Sequence, residues 1–294
     1  MSGIILLVVY VDDIVITGDD CTEISSLKQF LHTKFHTKDL GQLKYFFGVE
    51  VARSKNVIFL SQRKYVLDLL AETGKLGAKP CGTPMAPNAH LTKDDAEPFD
   101  DPERYRRLVG KLNYLTMTRL DIAYAFNIVS QFMSIPTVKH WAALEQILCY
   151  LKGAPDLDIL YSDHIHTRVE CFADADWVGS RIDKRLTTGC CVFVGGNLVS
   201  WRSKKQNVVS RSSAESEYRV MAQSTCEILW IQHLLAEVGL NPSFPAKLWC
   251  DNQAALHIAL NPVYHEWTTH IEVDCHFVHE RIEENVISTG YVNT

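Results

Sequence analysis

The sequence predicts a mixed α+β or α/β protein built from two units. The chain has 294 residues, 47% of them hydrophobic, which is more than one average domain needs. A proline-rich, acidic segment at Lys79–Pro102 is predicted to be a linker. Strand and helix patterns occur on both sides of this segment, and a new run of strands begins after Asp163. We therefore expect two hydrophobic cores.

The first half opens with an apolar, β-branched segment, Ile4–Ile16, that is interrupted by Asp12 and Asp13. This pattern predicts a β-hairpin with two carboxylates at its tip. Asp20 and Thr22 are candidate caps for the helix that follows. The other predicted elements of this half are that helix, ending near Phe35, the strands Tyr45–Ala52 and Val57–Leu60, and the helices Gln62–Thr73, Glu103–Leu115 and Val138–Leu151.

The second half is predicted to begin with three strands and to continue with a long helix, a strand, two helices and a last strand. In chain order these are Arg168–Ala173, Gly189–Val194, Leu198–Ser203, Ser213–Val238, Lys247–Cys250, Asn252–Leu260, Glu272–Glu284 and Val286–Val292.

Composition narrows the possible function classes. The net charge of −6 argues against a protein that coats nucleic acid through a basic surface. Enzymes that act on nucleic acid through bound magnesium need carboxylate clusters, so a negative total charge is compatible with them. The nine cysteines include no CxxC pair, which favours small core residues over a zinc site or disulfides. No further ligand cluster accompanies His265, His270, His276 and His279, so zinc is not favoured there either.

Neither terminus carries a signal-peptide pattern, and the apolar run at Gly3–Val11 is too short to span a bilayer. The sequence therefore predicts an intracellular protein, cytoplasmic or nuclear, without a membrane partner. No small-molecule cofactor other than a metal ion is expected.

The hairpin acids Asp12 and Asp13 are the first candidate site. Adjacent aspartates often mark an ordinary turn, and Asp19 and Asp20 are expected to belong to a loop or a helix start. At the tip of an apolar hairpin, however, two ionised carboxylates repel each other unless a cation or water compensates them. Magnesium is the simplest such cation, and the residues alone leave both interpretations open.

A second candidate site combines three acids from separate elements. Asp174 follows the first strand of the second half, Glu217 lies on the long helix, and Asp251 ends the next strand. Each has an ordinary alternative: a strand-end turn, a solvated helix residue and a helix cap. Three such carboxylates on rigid elements are also what a two-metal nuclease requires.

The helical pattern separates Glu217 from its neighbour Glu215. Ser212 and Glu215 fit an S-x-x-E capping box, which gives Glu215 a structural role at the helix start. At about 100° per residue, Glu217 borders the apolar stripe whereas Glu215 lies well outside it. We therefore expect Glu217 to reach the sheet and Glu215 to face away.

Four basic residues cluster after the third strand of the second half. They could contact the phosphates of an RNA–DNA hybrid, or they could belong to a solvated loop. The sequence does not decide between these interpretations. Trp177 and Trp201, in the same region, are expected to be core or near-core aromatics and not base-stacking platforms. The four basic residues are Arg202, Lys204, Lys205 and Arg211.

Segments along the whole chain resemble one family. The hairpin sequence YVDDIVITG is similar to motif C of reverse transcriptases. The segments YRRLVGKLNYLTMTRLDIAYAFNIVSQFM and HWAALEQILCYLKG resemble copia-type retrotransposon Pol polyproteins. The segments FADADWVGS and LWCDNQAALHIALNP resemble the ribonuclease H domain of those elements.

The resemblance implies a partial reverse-transcriptase palm and thumb at residues 1–87, a linker and helical connection at 88–163, and a ribonuclease H-like mixed-sheet domain at 164–294. It implies that Asp12 and Asp13 help to bind two magnesium ions at a polymerase centre. It likewise implies that Asp174, Glu217 and Asp251 hold magnesium or manganese at a nuclease centre. RNA, DNA and RNA–DNA hybrids are the partners it implies.

The chain departs from the family pattern in ways that bear on activity. It begins just before YVDD, so the upstream palm strand that carries another essential aspartate is not included, and it stops before the helix that carries a fourth ribonuclease H acid. Leu120 replaces a usual proline, and Trp267, Thr269 and His279 replace usual basic residues. We therefore expect no polymerase activity and at most weak hybrid cleavage. The alternative is a non-catalytic nucleic-acid-binding or scaffold remnant of a degenerate element.

Overall fold

The computed structural model describes residues 3–87, 89, 91–92, 96–176, 187–206, 209–210, 212–241, 244–261 and 271–293. Within these ranges the chain combines helices with a two-stranded, a four-stranded and a five-stranded sheet. The predicted mixed α/β class is therefore confirmed. None of the described helices combines the length and the apolar character needed to span a bilayer.

The predicted acidic hairpin is present at the start of the chain. Strands β1 (Ile5–Tyr10) and β2 (Asp13–Gly18) pair antiparallel, and Val11 and Asp12 form the turn between them. Helix α1 (Cys21–Phe35) follows. Its cap is Asp20, whose carboxylate accepts hydrogen bonds from the N–H groups at positions 22 and 23. Asp20 is therefore the cap of α1.

The four-stranded sheet is antiparallel and has the order β3-β4-β5-β6. The predicted strand Tyr45–Ala52 is in fact two strands, because Phe47 and Gly48 take left-handed backbone conformations with φ of 51° and 72°. The last strand of the sheet was not predicted, and it joins the sheet from far along the chain. The strands are β3 (Tyr45–Phe46), β4 (Val49–Arg53), β5 (Val57–Ser61) and β6 (Ile159–Ser162).

Four helices and a short 3-10 turn pack beside this sheet around one core. Val66, Leu69 and Leu70 of the first helix are buried together with residues of the other three. Strand β5 lies before residue 87 and pairs with β6, which lies after it. The core likewise contains residues from both sides of residue 87, so the two parts form one packed body. The helices are α2 (Arg63–Glu72), α3 (Pro102–Leu115), α4 (Ala123–Ser130) and α5 (Val138–Gly153), and the 3-10 turn is Leu120–Ile122.

The five-stranded sheet belongs to the second half and has the order β11-β10-β7-β8-β9. The strands β7, β8 and β9 are antiparallel neighbours, whereas β10 runs parallel to both β7 and β11. The long helix α6 packs on this sheet, and both contribute to a second core. The elements are β7 (Val169–Asp176), β8 (Thr187–Val194), β9 (Asn197–Lys205), α6 (Ser213–Glu237), β10 (Ala246–Cys250), α7 (Gln253–Leu260), α8 (Glu272–Glu283) and β11 (Ile287–Tyr291).

Side chains of strand β9 form hydrogen bonds with the first half of the chain. The side-chain amide of Asn197 accepts a hydrogen bond from the Ser162 N–H at 2.7 Å and donates one to the Ser162 carbonyl at 2.8 Å. The Trp201 indole N–H donates to the Thr116 carbonyl at 2.9 Å. These directional contacts place the five-stranded sheet against the helical body.

Candidate active site

The centre of the candidate site is the carboxylate of Glu217, which is only 4% exposed. Its Oε1 accepts a hydrogen bond from the Ala175 N–H at 3.1 Å. Its Oε2 lies 3.9 Å from Sγ of Cys250. Helix α6 therefore carries this carboxylate to β7 and to the end of β10, as the helical pattern predicted.

Asp251 joins Glu217 directly after β10. Ligand atoms of Glu217, Cys250 and Asp251 all lie within 4.8 Å of one another. The interpretation of Asp251 as a helix cap is wrong, because the cap of α7 is Asn252, whose side chain accepts a hydrogen bond from the Ala255 N–H at 3.1 Å.

Asp174 is the third acid near Glu217, and its position corrects the predicted strand end. It pairs with Gly189 inside β7 instead of following the strand. Its side chain is exposed, and its negative charge acts on Glu217. The three acids therefore interact across elements that are far apart in the sequence.

The electrostatics of the site favour a bound cation. The pKa of Glu217 is raised from 4.5 to about 7, mainly by burial and in part by the negative charges of Asp251 and Asp174, although the hydrogen bond from the Ala175 N–H acts to lower it. A cation would stabilise the ionised form of Glu217. The oxygen donors of Asp174, Glu217 and Asp251 suit the hard ions magnesium and manganese. The residues present therefore fit such a metal.

Sequence reasoning missed Cys250 as a lining residue of the site. The nine cysteines were expected to be mostly core residues, yet only Cys171, Cys250 and Cys275 are buried. Burial raises the pKa of the Cys250 thiol to about 12, so that thiol stays protonated beside the acids. Its place directly before Asp251 was the available signal.

Glu215 does not belong to the group formed by Glu217, Cys250 and Asp251. Its carboxylate accepts a hydrogen bond from the guanidinium of Arg219, one turn along the helix, at 3.0 Å. Its N–H donates to the Ser212 hydroxyl at 3.1 Å, so Ser212 caps α6. Although Glu215 is almost as buried as Glu217, it has a structural partner.

The hairpin acids do not belong to the group around Glu217. Asp12 and Asp13 are exposed at the tip of the β1–β2 hairpin. Within the described ranges they belong to no group of three or more metal-ligating side chains. Val11, beside them, takes φ of 49°, an unusual conformation for a β-branched residue. Such outliers often occur at functional sites.

The predicted basic cluster is divided between the two faces of the sheet. Arg202, Lys204 and Lys205 lie within β9, not in a loop after it. Arg202 approaches Glu227 of α6 at 3.8 Å, whereas Lys205 donates to Gln131 of the helical body at 2.9 Å. The division follows from the alternation of side chains along a strand. Arg211 and Trp177 lie outside the described residues.

Comparison with known proteins identifies the family. The sequence profile described as "Reverse transcriptase (RNA-dependent DNA polymerase)" matches residues 1–87. An uncharacterized mitochondrial protein of Arabidopsis thaliana is 41% identical over 76% of the chain and 93% of its own length. The retrovirus-related Pol polyprotein from transposon RE1 of the same plant is 42% identical over the whole chain. The chain belongs to the copia-type retrotransposon Pol polyproteins.

This Pol chain spans about a fifth of the length of the full polyproteins, 20% of the one from RE1. The retrovirus-related Pol polyprotein from transposon TNT 1-94 of Nicotiana tabacum is 32% identical over the whole Pol chain, which covers 23% of its length. The resemblance inferred from YVDD and the later segments is thereby confirmed.

Proposed function

We propose that this Pol chain cleaves the RNA strand of RNA–DNA hybrids at the centre formed by Asp174, Glu217 and Asp251. The main support is the buried carboxylate of Glu217. One of its oxygens lies within 4.8 Å of a carboxylate oxygen of Asp251, and the charge of Asp174 acts on it. These acids would hold magnesium or manganese. When bound, two such ions activate the attacking water and stabilise the leaving oxygen.

The topology of the second half supports a ribonuclease H-like domain. Three antiparallel strands, a long helix and a parallel strand follow one another, and the last strand adds beside that parallel strand. This connectivity brings β7, α6 and the end of β10 together. The Ala175 N–H and the packing of α6 then hold Glu217 in place, while Asp174 faces solvent, where a substrate phosphate has access.

Exposed basic residues of β9 are the proposed phosphate contacts. Arg202 and Lys204 are exposed and lie two residues apart, so their side chains share a face of the strand. Contacts of this kind recognise the backbone of a hybrid and not its base edges. Because they lie in the YVDD segment, which resembles reverse transcriptase motif C, Asp12 and Asp13 are the proposed ligands of a second, polymerase-type centre.

Hybrid cleavage should depend on the acids of the centre. In the presence of manganese, Asp174→Asn is expected to reduce cleavage of a labelled RNA–DNA hybrid by about a hundredfold or to background, because about 2.7 kcal/mol of lost transition-state stabilisation costs that much. Glu215→Gln is the matched control and should remain within about threefold of the parent chain. If both variants cleave as fast as the parent, the assignment is wrong. Hybrid binding without cleavage in the parent would favour the scaffold alternative.

The chain is not expected to extend a primer. A polymerase centre of the two-metal type needs several oxygen ligands, and among the described residues Asp12 and Asp13 belong to no group of three or more metal-ligating side chains. A primer-extension assay with magnesium checks this, with the Asp12→Asn, Asp13→Asn double variant as background. Template-dependent extension above that background would contradict the expectation.

A further inference from the structure

A row of aromatic rings runs from the acidic hairpin into the helical body. Tyr10, two residues before Asp12, contacts Phe47 edge to face with ring centroids 4.2 Å apart. Phe47 contacts Tyr114 of α3 at 5.5 Å, and Tyr114 contacts Tyr65 of α2 at 4.8 Å. We call the rings of Tyr10, Phe47, Tyr114 and Tyr65 the aromatic bridge.

The turn that presents Phe47 is built around one hydroxyl. The Tyr114 hydroxyl donates a hydrogen bond to the Phe47 carbonyl. Phe47 takes φ of 51°, which is a rare conformation for an aromatic residue. The next residue, Gly48, takes φ of 72°, which favours glycine, and a Cβ at this position would clash with the Tyr114 hydroxyl. A strained backbone of this kind persists only where surrounding contacts hold it.

The hairpin has little cover near its tip. The side chains of Val8, Val9 and Val11 are 52%, 60% and 79% exposed. Strands β1 and β2 form a sheet of their own, and an isolated two-stranded hairpin has marginal stability in water. Contacts made by Tyr10 therefore matter for the order of the tip.

We propose that Phe47, held by Tyr114, is a positioning residue for the Asp12–Asp13 tip. The ring of Phe47 packs against Tyr10, which limits the orientations that the following turn can take. Helix α3, which lies beyond the part matched by the reverse transcriptase family, thereby supports the hairpin acids. The metal-binding consequence rests on the proposed ligand role of these two acids, whereas the ordering of the tip does not.

Amide hydrogen exchange of the full chain tests the ordering. In Phe47→Leu, exchange at residues 10–13 is expected to become at least about tenfold faster, because local opening becomes easier, while α3 amides keep their rates. Tyr114→Phe keeps the ring but removes the hydroxyl and should give a smaller increase. Phe47→Tyr restores the ring and should restore the protection. Phe59→Leu, on β5 and outside the aromatic bridge, is the matched control.

Terbium luminescence excited through the aromatic side chains tests the consequence for ion binding. The part of the emission that Asp12→Asn, Asp13→Asn removes reports on an ion at the tip. Phe47→Leu is expected to lower the terbium affinity measured from that component by about tenfold, whereas Phe47→Tyr should keep the affinity of the parent chain. If the double variant removes no emission, the ligand role of the two acids is wrong, and exchange alone decides the positioning. Unchanged exchange in both Phe47→Leu and Tyr114→Phe would overturn the proposal.

Discussion

Replacing Glu217 with glutamine is expected to raise the free energy of unfolding of the metal-free chain by about 3 kcal/mol at about pH 8. Glu217 is 4% exposed, and burial, together with the charges of Asp251 and Asp174, raises the pKa of its carboxyl group from 4.5 to about 7. Each unit of such a shift corresponds to about 1.4 kcal/mol. Glutamine keeps the shape of the side chain without the charge.

The effect should have a defined pH dependence. Because the pKa of Glu217 is higher in the folded chain, the folded chain binds the proton more tightly than the unfolded chain. The contribution of this group to the free energy of unfolding therefore falls as pH rises from 4.5 to 7 and stays low above that. The advantage of Glu217→Gln should grow over the same interval and nearly vanish below it.

Urea denaturation across this pH interval, without divalent ions, provides the measurement. Glu215→Gln is the matched control, since its carboxylate is paired with Arg219 and its loss should give no stabilisation at high pH. Equal stability of Glu217→Gln and the parent chain above pH 7 would show that ionising Glu217 costs little in the folded chain.

Replacing Arg119 with methionine is expected to destabilise the helical body by about 2 kcal/mol. The side chain is 1% exposed, and its guanidinium donates to Asp121 at 2.7 Å and to the Ala154 carbonyl at 2.8 Å. Methionine fills much of the same volume but leaves these acceptors without their donor. Both acceptors are half-buried, so water replaces the lost donor only in part.

Hydrogen exchange of the α3 and α5 amides measures this change within the helical body. Lys28→Met is the control, because Lys28 forms a solvent-exposed ion pair with Asp39 at 3.0 Å, and such pairs contribute about 1 kcal/mol or less. A loss of protection no larger in Arg119→Met than in Lys28→Met would mean that the hydrogen bonds of Arg119 add little net stability.

Local sequence patterns predicted the presence of helices and strands better than the residues at which these elements begin and end. Alternation and turn residues predicted the β1–β2 hairpin, and the cap at Asp20 predicted the start of α1. The break at Phe47 was not predictable from alternation, because it depends on a hydroxyl of Tyr114 from a distant helix. Strand β6 was missed because a short apolar run acquires its strand character only by pairing with β5.

The sequence by itself determined the family and the side of α6 on which Glu217 lies, and it supplied the candidate acids, since motifs and helical periodicity are local properties. Only the tertiary structure decided which residues share a site. In the folded chain Glu217 lies beside Asp251 and Cys250, and Glu215 forms an ion pair with Arg219. The basic residues of β9 lie on two faces of the sheet. The physical reason is that burial, strand pairing and charge interactions depend on distances between elements, which sequence spacing does not contain.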